Sequence, residues 1–174
     1  MESTTAWRRP IAWLVSLLLA TMVIGCESDP IPQGTPGGFG NGDPATVPAF
    51  RQAVGAGHTV LRLTLPKVGG GNAELIRALL TPPVVSTGDK ASEADAVKMR
   101  EAVLDGLAHP SAKPARLFYI ARAYAVEHHR NPVVLLICDP CGTATVAMRT
   151  DGKDGDVVIA PQFDLSVLGP LFTP

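Results

Sequence analysis

The residues best suited to carry chemistry are two cysteines in the C-terminal third of the chain. Cys138 and Cys141 stand three positions apart in the stretch ICDPCG. This spacing is shared by dithiol redox sites, zinc sites and disulfides that fix a turn. A redox site needs a helix N-terminus to lower the pKa of the first thiol, and a zinc site needs two further ligands. The residues around the pair therefore decide which chemistry is available.

The residues between and after the cysteines favour a turn followed by a strand. Asp139-Pro140-Cys141-Gly142 has Pro at its second position and Gly at its fourth, the pattern of a type I turn closed by a glycine bulge. The β-branched stretch TATVAM comes next and ends near an Asp-Gly, so a helix there would be weak and short. We therefore predict a Cys138–Cys141 disulfide at the tip of a β-hairpin. The alternative is a thiol-disulfide redox or sensing module, with Cys138 as the attacking thiolate and Cys141 as the resolving thiol.

Metal binding is weakly indicated at two places. His128 and His129 precede the cysteine pair, but adjacent helical residues point about 100° apart and rarely reach one ion together. A position at the end of a helix, where the dipole favours cationic groups, explains these histidines more simply. The loop 151–156 is rich in carboxylates, yet Lys153 and Gly155 occupy two ligand positions of the EF-hand pattern. The sequence thus predicts a hairpin turn there and no metal ion.

No other stretch combines residues into a catalytic or cofactor site. Residues 69–72 lie between a predicted strand and a predicted helix but lack the Lys-Ser/Thr of a phosphate-binding loop. The chain has no G-x-S-x-G motif. Its formal net charge is −1 at pH 7, with no basic cluster of the kind that binds nucleic acid. We therefore predict no catalytic residues, no cofactor and no nucleic-acid partner.

The first half of the domain predicts one strand and two helices. Residues 58–65 alternate apolar and polar side chains, which is the period of a half-buried strand. Residues 72–80 predict a helix, with Asn72 as its cap and a Pro-Pro pair beyond its end. Ser92 and Asp95 resemble a capping box for a helix that ends near residue 108. Its apolar stripe consists of Ala96, Met99, Val103 and Leu107.

The second half predicts a helix followed by three strands. Pro114 suits the first turn of a helix over 114–130. The apolar face of this helix would consist of Leu117, Phe118, Ala121, Tyr124 and Ala125. Apolar, β-branched runs follow at 133–138, 143–150 and 156–160, joined by the turn-forming stretches DPCG and DGKDG. This order predicts one small α+β domain over 49–174, with an N-terminal strand, two to three helices on one sheet face and a C-terminal antiparallel β-meander.

The stretch ARAYAVEHHRNPVVLLI is similar to the helix-to-sheet junction of type IV pilins and H-type pseudopilins. It lacks that family's defining hydrophobic N-terminal helix, which is cut after a Gly and followed by Phe. The resemblance therefore implies only a shared local architecture, in which a helix runs into a strand, and no site residues.

The first 25 residues have the plan of a secretory signal peptide. Arg8 and Arg9 precede an apolar run over 11–25. This run is shorter than the ~20 residues that a membrane-spanning helix needs. Residues 26–48 are dense in Gly and Pro and have almost no aliphatic side chains, which predicts a flexible tether. The α+β domain is expected to begin at residue 49.

The residues Val23-Ile24-Gly25-Cys26 resemble the lipobox of bacterial lipoproteins. The resemblance implies that Cys26 receives a diacylglycerol, that residues 1–25 are removed, and that the new amino terminus can take a further acyl chain. Two or three acyl chains hold a protein stably on a membrane. The protein would then lie in the bacterial cell envelope, facing the periplasm or the cell exterior. An Asp directly after the lipidated Cys favours retention in the inner membrane. Glu27 occupies this position, so the outer membrane is slightly favoured.

Together these patterns predict a non-enzymatic envelope lipoprotein. Its α+β domain would act as a binding or structural module, held at the membrane by its lipid and able to meet an envelope protein partner. Acylation of Cys26 would leave Cys138 and Cys141 as the remaining thiols in an oxidising compartment, which favours their disulfide.

Overall fold

The computed structural model describes residues 42–81, 88–127, 132–150 and 155–172. Within these ranges the chain forms three α-helices and a seven-stranded sheet. The helices are α1 (Val47–Ala56), α2 (Asn72–Leu79) and α3 (Glu93–Ala108). The strands are β1 (Thr59–Leu63), β2 (Asp89–Lys90), β3 (Arg122–Glu127), β4 (Val133–Cys138), β5 (Thr143–Arg149), β6 (Val157–Ile159) and β7 (Phe163–Asp164). Short 3-10 helices lie at Pro44–Thr46, Leu165–Leu168 and Pro170–Phe172.

Several predictions concern residues outside the described ranges. These include the signal peptide, Cys26 and its lipid, most of the tether, His128 and His129, and the start of the 151–156 loop. Among the residues that are described, no helix combines the length and the apolar character needed to cross a membrane.

The sheet is antiparallel throughout. Its strand order is β2-β1-β3-β4-β5-β6, and β7 pairs with β5. Strands β3 to β6 follow one another both along the chain and across the sheet. The predicted α+β class, the N-terminal strand and the C-terminal meander are therefore confirmed, and the meander includes one more strand than the sequence patterns indicated.

Both faces of the sheet are covered, whereas the sequence predicted helices on one face only. Alternate residues of β4 belong to two separate apolar layers: Val133, Leu135 and Ile137 on one side, and Val134, Leu136 and Cys138 on the other. The first layer also contains residues of α1 and α3, and the second contains residues of α2. Every residue of β4 is buried, which is the pattern of a strand with no face toward water.

Helix α3 has the start and the apolar stripe that its sequence predicts. The Oγ of Ser92 accepts the backbone N–H of Asp95 at 3.1 Å and so caps the helix. The four stripe residues, Ala96, Met99, Val103 and Leu107, are all buried. In the last turn, Gly106 lies so close to the ring of Phe163 that a Cβ at this position would overlap the ring.

The predicted helix over 114–130 is wrong over its described part, residues 114–127. Residues 111–121 form neither helix nor strand, and the chain then forms β3, which pairs with β1 on one edge and β4 on the other. Short apolar runs buried on both faces have no period that separates a strand from a helix. Pairing on both edges outweighs the local preference of the alanines for helix. The pilin-like junction is wrong for the same reason, because β3 and β4 are two paired strands.

Helix α1 was not indicated by the sequence patterns. It begins at Val47 in a Pro-rich stretch, and Phe50 and Val54 are fully buried against the sheet. Proline is compatible with the first turn of a helix, where the missing N–H has no intrahelical partner. Just before α1, Gly42 packs so tightly on the backbone of Ile159 and Ala160 that a Cβ there would overlap it.

Candidate functional site

The cysteine pair lies at the tip of the β4–β5 hairpin. The carbonyl of Cys138 accepts the N–H of Cys141 at 3.2 Å, and that of Asp139 accepts the N–H of Gly142 at 3.2 Å. Gly142 has a φ of 66°, in the left-handed region that favours glycine. The predicted turn, with Pro in its second position and Gly in its fourth, is therefore confirmed.

The two cysteines have the geometry of a bonded pair. Their Cα atoms are 5.2 Å apart, inside the usual range for disulfides, and their sulfur atoms lie at bonding distance. This is compatible with the predicted disulfide. The side chain of Cys138 is fully buried, whereas that of Cys141 is partly exposed. Thr143, the second residue after Cys141, already begins β5, so the pair does not open a helix.

Both sulfur atoms contact residues 115–121, which we call the extended segment. The N–H of Tyr119 donates to Sγ of Cys138 at 3.3 Å. Sγ of Cys141 lies 3.4 Å from the carbonyl oxygen of Leu117. The hairpin tip therefore contacts the backbone of the extended segment at two neighbouring points, and the bond from Tyr119 is a hydrogen bond.

The start of the extended segment is held by a buried glutamine. Oε1 of Gln162 accepts the N–H of Ala115 at 2.9 Å, and Nε2 donates to the carbonyl of Ala115 at 3.0 Å. The same Oε1 accepts the hydroxyl of Thr143 at 3.0 Å. Because Thr143 is the first residue of β5, Gln162 joins the extended segment to the base of the hairpin turn.

Two further bonds hold the middle and the end of the extended segment. Asn72, predicted as the cap of α2, is instead its first residue after Gly71, and its Nδ2 donates to the carbonyl of Phe118 at 2.5 Å. The N–H of Ala121 donates to the carbonyl of Ile137 at 2.8 Å. Contacts from α2, β4, the hairpin tip and Gln162 therefore fix the backbone of this segment.

The side chains of the extended segment alternate between core and water. Phe118 and Ile120 are each 3% exposed, whereas Leu117 is 78% and Tyr119 is 68% exposed. Among the described residues, the remaining large apolar side chain on the exposed surface is Val97 of α3, at 40%. Two large apolar side chains therefore project into water from a backbone that is held in place.

An ion pair fixes the hairpin tip from the other side. Arg122 donates from Nε to Oδ2 of Asp139 at 2.9 Å and from Nη2 to Oδ1. This bidentate bond is the main cause that raises the pKa of Arg122 above its ordinary value, and partial burial opposes it. The side chain of Arg122 is 10% exposed and that of Asp139 is 36% exposed. The pair therefore joins the start of β3 to the turn that holds the cysteines.

An open cleft of about 260 Å³ lies at the β1–β2 edge of the sheet. Its lining combines apolar and charged side chains: Val60, Met99, Tyr124 and Leu171 with Arg62, Asp89, Lys90 and Asp95. Two cations and two carboxylates give this cleft no clear preference for an anion or a cation.

The described residues contain no group of three His, Cys, Asp or Glu side chains that could hold a metal ion. His128 and His129, which the sequence offered as partners for the cysteines, lie outside those residues.

Comparison with known proteins gives no family for the chain. No family model matches it, and no curated protein or solved structure is significantly similar to it. The site is therefore interpreted from its own geometry.

Sequence reasoning placed the cysteine turn correctly and missed the extended segment beside it. The alternation of exposed Leu117 and Tyr119 with buried Phe118 and Ile120 has no counterpart in the sequence, because all four side chains are large and mainly apolar. The pair of Arg122 and Asp139 had no sequence signal, since the two residues are 17 positions apart.

Proposed function

We propose that the chain is a lipid-anchored protein of the bacterial cell envelope whose α+β domain is a non-enzymatic binding or structural module. The lipobox-like residues ending at Cys26 support the anchor. The observation that carries the binding role is the exposure of Leu117 and Tyr119 on the fixed extended segment.

A fixed backbone makes this exposed pair suitable for binding. Covering a large apolar side chain such as leucine releases roughly 1.5–3 kcal/mol. Binding to a flexible segment costs free energy, because the segment must be ordered. This cost is small here, since hydrogen bonds already hold the backbone in place. The disulfide-closed hairpin tip and Gln162 therefore serve to present Leu117 and Tyr119 in one arrangement.

The anchor is tested at Cys26. We expect the chain to incorporate labelled palmitate in bacteria and to sediment with membranes. Cys26→Ala should abolish the label, whereas Cys141→Ala, which removes a thiol elsewhere, should retain it. A wild-type chain that takes up no lipid would contradict the proposal.

The binding role is tested by a photo-crosslinking amino acid at residue 119 in intact cells. We expect a defined adduct there, because the side chain at this position would contact the binding partner. Val97, also exposed but on α3, is the matched control position and should give none. Equal labelling at both positions, or none at either, would remove the support for a binding surface.

The competing function is thiol-disulfide exchange, and the partial exposure of Cys141 favours it. The full burial of Cys138 weighs against its predicted role as the attacking thiolate, because a nucleophile must reach its substrate. A redox-active pair is followed by a helix whose N-terminus lowers the thiol pKa. Here the pair is followed by strand β5 instead. Insulin reduction by the pre-reduced protein, abolished by Cys138→Ala, would establish exchange; an inert disulfide would exclude it.

A further inference from the structure

We infer that Leu117 and Tyr119, together with the neighbouring cations Lys113 and Arg116, contact the anionic surface of the membrane to which the chain is anchored. We call these four residues the membrane patch. The inference rests on the proposed function, because lipid anchoring is what holds the domain beside a bilayer.

Leucine and tyrosine each prefer a different depth of a membrane surface. A leucine gains by entering the acyl boundary, and a tyrosine prefers the interface, where its ring is covered and its hydroxyl stays hydrated. Phe118 and Ile120 point into the core, so Leu117 and Tyr119 project without competing apolar neighbours on the segment. A water-facing role alone gives no reason to expose two such side chains on a fixed backbone.

The charges beside the pair are those that an anionic surface attracts. Lys113 and Arg116 are exposed, and within the described part of the chain neither side chain has an ion pair. Arg116 is three residues from Tyr119, so their Cα atoms are at most about 11 Å apart. Clustered cations beside apolar side chains are typical of surfaces that bind acidic lipids.

Two acids near this end of the sheet bind residues other than Lys113 and Arg116. Asp139 is bound by Arg122, and Oδ1 of Asp164 accepts the hydroxyl of Ser111 at 2.6 Å. Among the described residues neither acid forms an ion pair with Lys113 or Arg116, so both cations can meet phosphate groups of the membrane.

The point where the described chain begins is connected to the membrane patch through two sets of contacts. Gly42, the first described residue, packs on the backbone of Ile159 and Ala160. Gln162, two residues beyond Ala160, holds Ala115, which is two residues before Leu117. A short path of contacts therefore connects the point where the tether enters to the surface that projects Leu117.

A tether of this length would keep the domain near the bilayer. If the 15 residues between Cys26 and Gly42 form the flexible tether that their composition predicts, their average reach is about 20–23 Å. A domain of this size has a radius of gyration of about 14 Å. The domain therefore cannot move far from the membrane, and its effective concentration there is on the order of millimolar.

The test places one tryptophan in the patch and measures its distance from lipid. Trp7 and Trp13 are the tryptophans of the chain and precede Cys26, so Tyr119→Trp gives the mature lipoprotein a single reporter. The full acylated protein is placed in phosphatidylethanolamine/phosphatidylglycerol vesicles containing brominated phosphatidylcholine. We expect blue-shifted emission that the brominated lipid quenches. Val97→Trp on α3 is the matched control and should remain unquenched, with emission typical of water.

A charge variant separates the role of the cations. Lys113→Glu combined with Arg116→Glu should abolish the quenching of the tryptophan reporter at position 119 on these vesicles. Urea unfolding of the domain should be unchanged, because both side chains are exposed. If brominated lipid still quenches the reporter after both charges are reversed, Lys113 and Arg116 do not hold the domain on acidic lipids, and that part of the inference is wrong.

The outcomes separate this inference from the proposed function. If Cys26 is acylated and the reporter at position 119 gives the same emission as the one at position 97, the lipid contact is wrong and the anchor stands. If the reporter at position 119 is shielded from iodide in cell envelopes but brominated lipid does not quench it, a protein covers it and the lipid contact is again wrong. If mass spectrometry finds no acyl chain on Cys26, the anchor fails, and this inference fails with it.

Discussion

At the scale of single residues, the ion pair of Arg122 and Asp139 is the contact that most directly fixes the hairpin tip. Asp139→Asn removes the carboxylate from the side chain of Arg122, which is only 10% exposed. We expect the free energy of unfolding to fall by about 1–2 kcal/mol, less than for a fully buried pair because Asp139 itself is partly exposed. Urea denaturation followed by circular dichroism measures this change.

The matched control for this residue-scale prediction is Glu101→Gln on the exposed side of α3. It makes the same chemical change where, among the described residues, no ion pair is lost. Its unfolding midpoint should stay within error of the wild type. Equal midpoints for both variants would mean that the Arg122–Asp139 pair contributes no stability.

At the scale of elements, two glycines within helices should respond in opposite directions to the same substitution. Gly106→Ala in α3 places a Cβ against the ring of Phe163, and the resulting overlap should cost about 1–3 kcal/mol, more than the helix gains. Gly55→Ala in α1 meets open space and should stabilise by about 0.5–1 kcal/mol. Thermal unfolding of the two variants measures both signs, and a shared sign would refute the packing of α3 on β7.

The elements also show what the sequence could and could not predict. Strand β4, α3 and the turn at Gly142 carry strong local signals, namely a β-branched run, a capping box and a turn motif, and each was predicted correctly. Strand β3 failed because β1, its partner on one edge, is distant in sequence, so the pairing that decides its structure has no local signal on that side. For the same reason the extended segment beside the cysteines could not be placed, although the cysteines themselves were.

At the scale of the whole molecule, the proposed removal of residues 1–25 would change the spectroscopy of the protein. Trp7 and Trp13 both precede Cys26, whereas Tyr119 and Tyr124 follow it. We therefore expect protein purified from membranes to show tyrosine emission without a tryptophan band, because no tryptophan remains in the mature chain. Excitation at the red edge of the absorption band, where tryptophan absorbs and tyrosine does not, tests whether any tryptophan remains. Tryptophan emission from membrane-bound protein would mean that the N-terminal segment is retained.

The close contact of Gly42 with the backbone of Ile159 and Ala160 has a mechanical consequence. If the chain is anchored at Cys26, any pull between membrane and domain enters the fold at this contact, next to β6 at the margin of the sheet. Strand β6 pairs with β5 over only three residues, and β5 also carries the cysteine hairpin. Tension on the tether would therefore be transmitted first to the weakest-paired edge of the meander, and from there toward the surface that presents Leu117 and Tyr119.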